Sequence, residues 1–325
     1  MPIVELNHVR KVYDTKVAVA DLSFTIEPGT MFGLLGPNGS GKTSSIRMMI
    51  GMTVPDSGSV SLFGKPYTRS VLWRVGYLPE ERGLYKKMNV LDQLIFLGRL
   101  HGLTASEANT TSRYWCEKLQ ITEAIPKKTE DLSKGMQQKI QFIASLLHDP
   151  ELIIMDEPFS GLDPVNAALL MDTLADLRTQ GKTILFSTHR MDQVEKLCDH
   201  LALIHHGHLV LSGSMQQIKA SYPRNRVHIN FEGGNEFLNH PSIQSLKHYP
   251  GRAEIILRPS RTLAEDTQSL LAQAVRHARI TRFEVTEPTL EQIFIEKVQE
   301  TSPVRTGTEP SMAELEELKE DEVDA

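Results

Sequence analysis

The chain has 325 residues and a formal net charge of -6, and this length suits two domains of unequal size. Hydrophobic residues make up 40% of it and charged residues 23%, which is typical of a globular protein, and no apolar run approaches the ~18 residues of a membrane span. The N terminus lacks a signal-peptide pattern, and the only cysteines are Cys116 and Cys198. These features argue against a disulfide-stabilised secreted protein and favour a reducing cytosol.

The negative charge is concentrated at the C terminus. Residues 302–325 hold eight carboxylates against Arg305 and Lys319, so the rest of the chain is formally neutral. A neutral body without a basic block argues against a dedicated nucleic-acid-binding protein, and no direct nucleic-acid binding is expected. Because residues 301–325 contain few large apolar side chains, they are predicted to form an acidic, disordered tail.

The N-terminal elements alternate apolar and polar residues. In residues 3–13 and in residues 17–29, apolar and polar side chains alternate with a period of two residues, which is typical of a β-strand. The two segments predict an antiparallel β-subdomain. The apolar run 31–35 predicts a third strand, and a helix is predicted over 44–50. The short turn between this strand and this helix is rich in glycine.

That turn has the spacing of a phosphate-binding loop, with Gly36, four residues, and then Gly41, Lys42 and Thr43. Glycines at these positions let successive N–H groups point into one concavity, and the helix start favours a bound anion. Lys42 is expected to reach the β- and γ-phosphates and Thr43 to ligate Mg²⁺. The residues predicted to contact a nucleoside triphosphate are Gly36, Pro37, Asn38, Gly39, Ser40, Gly41, Lys42, Thr43 and Ser44.

The apolar period becomes helical from residue 88 to about 148, which predicts an all-helical insertion. Strands return at 152–155 and 183–187 with a helix at 164–180 between them, which predicts a parallel sheet with its ligand site at the strands' C-terminal ends. Beyond residue 224 a short run of strands and helices predicts a second domain. The predicted fold is therefore an α/β P-loop NTPase domain over 1–220, made of a RecA-like core, an N-terminal antiparallel β-subdomain and the inserted helical subdomain. A small C-terminal α+β domain is predicted over 225–300.

Two acidic residues end a buried strand downstream of the phosphate loop. Asp156 stands where a carboxylate can hold Mg²⁺ through its water shell, and Glu157 follows it directly. A carboxylate at that position can orient or deprotonate a water for in-line attack on the γ-phosphate. His189 lies at the end of a later strand, and residues 132–138 open a helix.

All these motifs, in this order across residues 1–215, resemble the ATP-binding subunits of ABC transporters. The resemblance implies that Tyr13 stacks on adenine and that Lys42, Glu157 and His189 serve catalysis, with Asp156 as the Walker B aspartate. It further implies that the signature motif and the D-loop reach the ATP of a second subunit. The residues that match these two motifs are Ser133, Lys134, Gly135, Met136 and Asp163.

Two departures from the family pattern concern charge. The signature motif reads LSKGM, in which Lys134 replaces a glycine, and Glu80 stands where the family usually carries a glutamine. With Thr43 and Asp156, Glu80 completes the predicted metal ligands. Both departures, together with the segment at 283–298, resemble a branch of ABC systems that exports sodium, drugs or other small molecules through a separate membrane subunit.

The resemblance implies an ATPase that binds ATP and Mg²⁺, forms a homodimer around two nucleotides and drives a separate integral membrane permease, most simply as an exporter. Its place would be the cytoplasmic face of the cell membrane, held there by the permease. An alternative is a non-transport ABC ATPase that acts on ribosomes or nucleic acid, although the chain has a single ATPase unit and an acidic tail. A stand-alone nucleotide-binding regulator is disfavoured because it would lack the glutamate found at Glu157.

Overall fold

The computed structural model describes residues 1–66, 68–81, 83–258 and 262–301. The tail predicted to be disordered lies outside these ranges from residue 302 onward. The chain forms two compact units, one of residues 1–214 together with the described residues from 298 onward, and one of residues 215–297. The short helix at 215–220, which the sequence prediction placed in the first domain, is therefore counted with the second unit.

The first unit contains the elements that the parallel-sheet prediction requires, with three short 3₁₀ helices at Arg69–Arg74, Thr122–Ala124 and Thr129–Asp131. Its strands and α-helices are, in chain order, β1 (Val4–Tyr13), β2 (Lys16–Ile26), β3 (Met31–Leu35), α1 (Lys42–Met49), β4 (Ser57–Leu62), β5 (Lys65–Pro66), β6 (Val75–Leu78), α2 (Val90–Leu100), α3 (Ala105–Lys118), α4 (Lys134–Leu146), β7 (Leu152–Asp156), α5 (Pro164–Thr179), β8 (Thr183–Thr188), α6 (Met191–Leu197), β9 (His200–His205) and β10 (His208–Ser214).

The strands of this unit follow the order β5-β4-β1-β2-β10-β9-β3-β8-β7-β6. β9, β3, β8, β7 and β6 pair in parallel, whereas β1 pairs antiparallel with β2 and β4. Every residue of β3, β7 and β8 is buried, as expected for parallel strands covered on both faces. Because parallel strands share one carboxyl edge, the loops after β3, β6, β7 and β8 lie at that edge.

Local sequence signals determine where the helices begin. Thr104 and Glu107 form a capping box at the start of α3, and the Ser133 side chain caps α4. α5 begins with Pro164 in its first turn, after the capping carboxylate of Asp163. α2, α3 and α4 contact one another and form the helical insertion predicted over 88–148.

The second unit contains a four-stranded antiparallel sheet in the order β12-β13-β11-β14. This is the strand order of a ferredoxin-like β-α-β-β-α-β fold, with the 3₁₀ helix Glu236–Asn239 in place of the first helix. The apolar face of the sheet packs on α8 through side chains such as Ile229, Ile255 and Leu270. The elements of this unit are α7 (Met215–Ala220), β11 (Arg226–Gly233), β12 (Ile243–Tyr249), β13 (Arg252–Leu257), α8 (Leu263–His277), β14 (Ala278–Thr286) and α9 (Leu290–Thr301).

Together the two units confirm the predicted fold class, an α/β P-loop domain with a small α+β domain after it. Within the described ranges, no helix combines the length and the apolar character needed to cross a membrane.

Candidate functional site

The phosphate-binding loop connects β3 to α1, and its shape depends on glycine. Gly39 and Gly41 have φ angles of 75° and 112°, a left-handed region that other residues seldom adopt. A Cβ on Gly36 would lie 2.2 Å from the Ile204 carbonyl oxygen, and one on Gly41 would lie 2.5 Å from that of Ala18. The loop therefore needs glycine both for its turns and for its contact with the chain behind it.

Lys42 is the first residue of α1, two residues earlier than the predicted helix start. Its Nζ donates to the carbonyl oxygens of Gly36 at 2.6 Å and Pro37 at 3.1 Å. Burial lowers the pKa of Lys42, and the nearby carboxylates of Glu157, Asp156 and Glu80 oppose that shift. The N–H groups of the first helical turn, at Lys42, Thr43 and Ser44, have no acceptor within the helix and are available to an anion.

The turn between β9 and β10 supports the phosphate-binding loop from behind. The Gly207 amide donates to the Ser40 carbonyl at 2.9 Å, and the Gly207 carbonyl accepts from the Ala20 amide at 2.8 Å. This contact could not be predicted from a local sequence pattern, because its partners are more than a hundred residues apart.

Asp156 ends β7 with a side chain that is only 1% exposed. Its Oδ1 accepts a hydrogen bond from the Ser187 hydroxyl, and its Oδ2 is buried with no hydrogen-bond partner among the described residues. Ser187 also accepts from the Glu157 amide, through its carbonyl and its hydroxyl, both at 3.2 Å. The sequence analysis missed Ser187, although it stands directly across from Asp156 in the parallel register of β7 and β8.

Glu157 lies close to both His189 and Lys42. Its Oε1 lies 3.0 Å from His189 Nδ1 and 4.0 Å from Lys42 Nζ. The hydrogen bond to Glu157 raises the pKa of His189, so the pair favours a protonated imidazole. The structure thus brings together Lys42, Glu157 and His189, the three residues for which the family resemblance implies a catalytic role.

Glu80 lies in the loop after β6 and is exposed. Partial burial raises its pKa, and the charges of Asp156 and Glu157 raise it further. Glu80 therefore lies within electrostatic reach of Asp156, Glu157 and Lys42.

The signature and D-loop residues meet at the start of α4. The Ser133 hydroxyl accepts from the Met136 amide at 3.3 Å, and a Cβ on Gly135 would lie 3.5 Å from Leu162. Lys134 is exposed, and Asp163 accepts from the amides of Val165 and Asn166 at the start of α5. The Asp163 carboxylate therefore has a role within its own chain.

Tyr13 ends β1 with 39% of its surface exposed. The Lys11 ammonium lies 5.6 Å from the centroid of its ring. A ring so exposed leaves area for a planar ligand to stack on it.

The donor set of the site fits Mg²⁺, which binds through one or two carboxylates together with phosphate oxygens and waters. The buried Oδ2 of Asp156, which no described residue hydrogen-bonds, is the observation that fits a cation or its water shell best. Thr43 and Glu80 would supply the remaining oxygens. Within the described ranges, this site included, no group of three or more His, Cys, Asp and Glu side chains is arranged to hold a metal ion by itself, so phosphate oxygens and waters would complete the coordination of Mg²⁺.

Comparisons with known proteins match both units. Residues 19–160 match the family model described as ABC transporter, and residues 213–298 match the C-terminal domain of DrrA1-3-like ATP-binding proteins. The uncharacterized ABC transporter ATP-binding protein YhaQ of Bacillus subtilis (strain 168) is 43% identical over 295 residues, 90% of this chain and 97% of that protein. The linearmycin resistance ATP-binding protein LnrL of the same strain is 33% identical over 304 residues, with the same coverage.

A solved structure shows the same fold. CbiO1 from Clostridium perfringens, described as part of the ABC transporter complex cbiONQ, superposes with a TM-score of 0.60 and 25% identity. The match covers 67% of this chain and 91% of that one. With motifs, fold and relatives in agreement, the chain belongs to the ABC transporter ATP-binding proteins, and it is an ATPase.

Proposed function

We propose that this ATPase closes as a homodimer around two MgATP and drives a separate integral membrane permease, in the direction of export. The observation that carries the hydrolysis step of the proposal is the approach of Lys42 Nζ and His189 Nδ1 to the same carboxylate oxygen of Glu157, beside a glycine-rich loop. That arrangement suits a site that binds a triphosphate and turns it over.

The position of each residue indicates its task in hydrolysis. Lys42 and the first-turn amides of α1 bind the phosphates, and Tyr13 stacks on the base. Glu157 orients the attacking water and accepts its proton, and His189 holds Glu157 and contacts the γ-phosphate. Mg²⁺, held by Thr43, Asp156 and Glu80, would supply charge neutralisation on the phosphate oxygens.

The second copy is inferred from the signature motif. Ser133 and Lys134 are exposed at the N terminus of α4, where helix N–H groups favour an anion. In a closed dimer, Ser133 to Met136 and Asp163 of one chain complete the site of the other. ATP then favours the dimer, and hydrolysis releases it.

The permease and the export direction rest on the relatives. LnrL is named for linearmycin resistance, and CbiO1 is described as part of a transporter complex. By analogy, this chain would lie at the cytoplasmic face of the cell membrane, held there by its permease.

Affinity purification of the tagged full chain from detergent-solubilised membranes tests this proposal. We expect a stoichiometric partner with several membrane spans, identified by mass spectrometry, together with ATPase activity in the eluate. The same purification from the soluble fraction is the control. Recovery with ribosomes or nucleic acid instead of a membrane protein would contradict the transport proposal and favour a non-transport ABC ATPase.

A further inference from the structure

Two buried glutamines lie on the same face of α4, the helix that begins with the signature motif. Gln138 and Gln141 are three residues apart, which places them one above the other on a helix. Their exposed fractions are 3% and 5%. Burial of two side-chain amides is costly unless their polar groups are hydrogen-bonded. The hydrogen-bond partners of each glutamine therefore indicate which part of the chain it holds in place.

Gln141 binds the loop that carries Glu80. Its Nε2 donates to the Pro79 carbonyl at 3.0 Å and to the Glu81 carbonyl at 3.1 Å, the two residues on either side of Glu80. Both N–H groups of one amide are thereby used. Its Oε1 is buried without a partner among the described residues, so the position relies on its donors alone.

Gln138 binds the loop that carries Glu157. Its Nε2 donates to the Pro158 carbonyl at 3.1 Å, on the residue that directly follows Glu157. One face of α4 is therefore hydrogen-bonded to the main chain beside both predicted carboxylates.

The Glu80 side chain depends on this support. It is exposed, and among the described residues no hydrogen bond or ion pair holds its carboxylate. The main chain of the loop must then set the direction of the side chain, and Gln141 holds that main chain at both neighbours. A displacement of about 1 Å at a positioned catalytic group is enough to cost a large factor in rate.

We propose that Gln141 is a positioning residue for ATP hydrolysis, which acts by fixing the Pro79–Glu81 loop so that Glu80 reaches the metal and water side of the nucleotide. Gln138 supports Glu157 in the same way, so α4 sets the positions of both acids. The proposal rests on the role proposed above for Glu80.

A double-mutant cycle between Gln141→Met and Glu80→Ala in the full chain tests it. Methionine matches the length of glutamine and removes both donors. We expect Gln141→Met to lower kcat about tenfold and to raise the Mg²⁺ concentration for half-maximal rate, with metal-free ATP affinity within about threefold. In the Glu80→Ala background the same change should lower kcat less than about twofold, because the side chain that Gln141 positions is already absent.

Lys139→Met is the matched control. Lys139 lies on the same helix, is 6% exposed, and its Nζ donates to the Leu119 carbonyl at 3.0 Å, which is at the C-terminal end of α3. It should lose as much thermal stability as Gln141→Met but keep the wild-type Mg²⁺ dependence. Equal Mg²⁺ shifts in both variants would overturn the proposal, and so would a Gln141→Met enzyme with wild-type kcat.

The cycle separates two failures. A wild-type rate in Glu80→Ala alone would remove the proposed role of Glu80, and the inference with it. A large loss of kcat in Glu80→Ala, with a double variant whose loss equals the product of the two single losses, would overturn only the role of Gln141. Gln141→Leu serves as the second variant where methionine impairs folding, with the same expected result.

Discussion

At the residue scale, Glu157 combines a strained main chain with a held side chain. Its φ of 47° is unusual for a residue other than glycine and costs on the order of 1 kcal/mol. The hydrogen bonds from its amide to Ser187 offset that cost and fix the turn. The result is a carboxylate directed at His189 and toward Lys42, where a γ-phosphate and its attacking water would lie.

Replacement of Glu157 by glutamine should separate binding from hydrolysis. Glutamine keeps the shape and the acceptor for His189 but cannot accept a proton from water, so we expect kcat to fall by at least about a hundredfold. ATP affinity should stay within about threefold of the wild type, and ATP should convert the variant to a stable dimer. Hydrolysis rates, nucleotide titration and analytical ultracentrifugation measure these three quantities.

The control for this variant is Glu157→Gln combined with Gly135→Asp, which places a carboxylate at the signature motif. The double variant should bind ATP as a monomer. An undiminished rate in Glu157→Gln would contradict the role of Glu157, and a monomer at saturating ATP would contradict the closed dimer.

The sequence predicted which reactive side chains would form the proposed site, and it did not predict the residues that support them. Lys42, Asp156 and Glu157 carry their chemistry in their own side chains and spacing. Ser187 and Gln141 act on main-chain groups of distant segments, so their roles exist only once the sheet register and helix packing are formed. A serine in an apolar strand was the one available signal for Ser187.

At the element scale, the turn between β9 and β10 supports the proposed nucleotide site through main-chain hydrogen bonds to the phosphate-binding loop. Gly207 has a φ of 76°, and a Cβ there would lie 3.0 Å from the Ala18 carbonyl oxygen and 3.1 Å from the Ala20 amide nitrogen. A side chain would therefore push the turn away from the strand and weaken the hydrogen bond to Ser40.

We expect Gly207→Ala to weaken ATP binding roughly tenfold, because the loop loses part of its preorganisation. Gly181→Ala is the matched control: Gly181 has a φ of 86°, and a Cβ on it would meet no atom within 4 Å. Both variants should lose about 1 kcal/mol of stability from the left-handed backbone. Equal ATP affinities, measured by nucleotide titration, would show that the turn does not shape the loop.

Among the elements, strongly patterned ones were predictable and β12 was not. The strands β3, β7 and β8 are short apolar runs, and α8 has a clear amphipathic period. β12 is an edge strand in which six of seven residues are exposed, so its sequence has neither an apolar run nor a clean alternation. Its place is set by pairing with β13, which a local pattern cannot report.

At the scale of the whole molecule, His148 makes the free energy of unfolding depend on pH. Its Nε2 donates to the Val75 carbonyl at 3.0 Å, which leaves Nδ1 buried without a partner among the described residues. Its ring stacks on His101 with centroids 4.0 Å apart. Burial, and then the proximity of His101, lower the pKa of His148 to about 4, against opposing contributions from the hydrogen bond to Val75 and from Asp149.

A pKa below the unfolded value of about 6.5 means that the unfolded chain binds the proton more readily. The stability contribution of neutral His148 is thus complete above about pH 6.5 and is lost as the pH falls toward the folded pKa. Because the side chain is half-buried, solvent screening reduces the effect. We expect the wild type to lose about 1 kcal/mol more than His148→Phe between about pH 7.5 and about pH 5.

Thermal melts of both proteins at the two pH values measure this difference, which corresponds to about 2–4 °C. Phenylalanine keeps the ring stack and cannot titrate, so acid effects common to both proteins cancel. Parallel loss of stability in the two proteins would show that His148 is not the group responsible.

Two hydrogen bonds, from Ala20 to Gly207 and from Gly207 to Ser40, join the antiparallel strand layer to the phosphate-binding loop. That layer carries Tyr13, so the distance between the Tyr13 ring and Lys42 is set by paired strands and not by a flexible linker. The two ends of the proposed site are therefore held at a fixed spacing. We expect that spacing to select a nucleotide by the length of its phosphate chain more than by the hydrogen-bonding edge of its base.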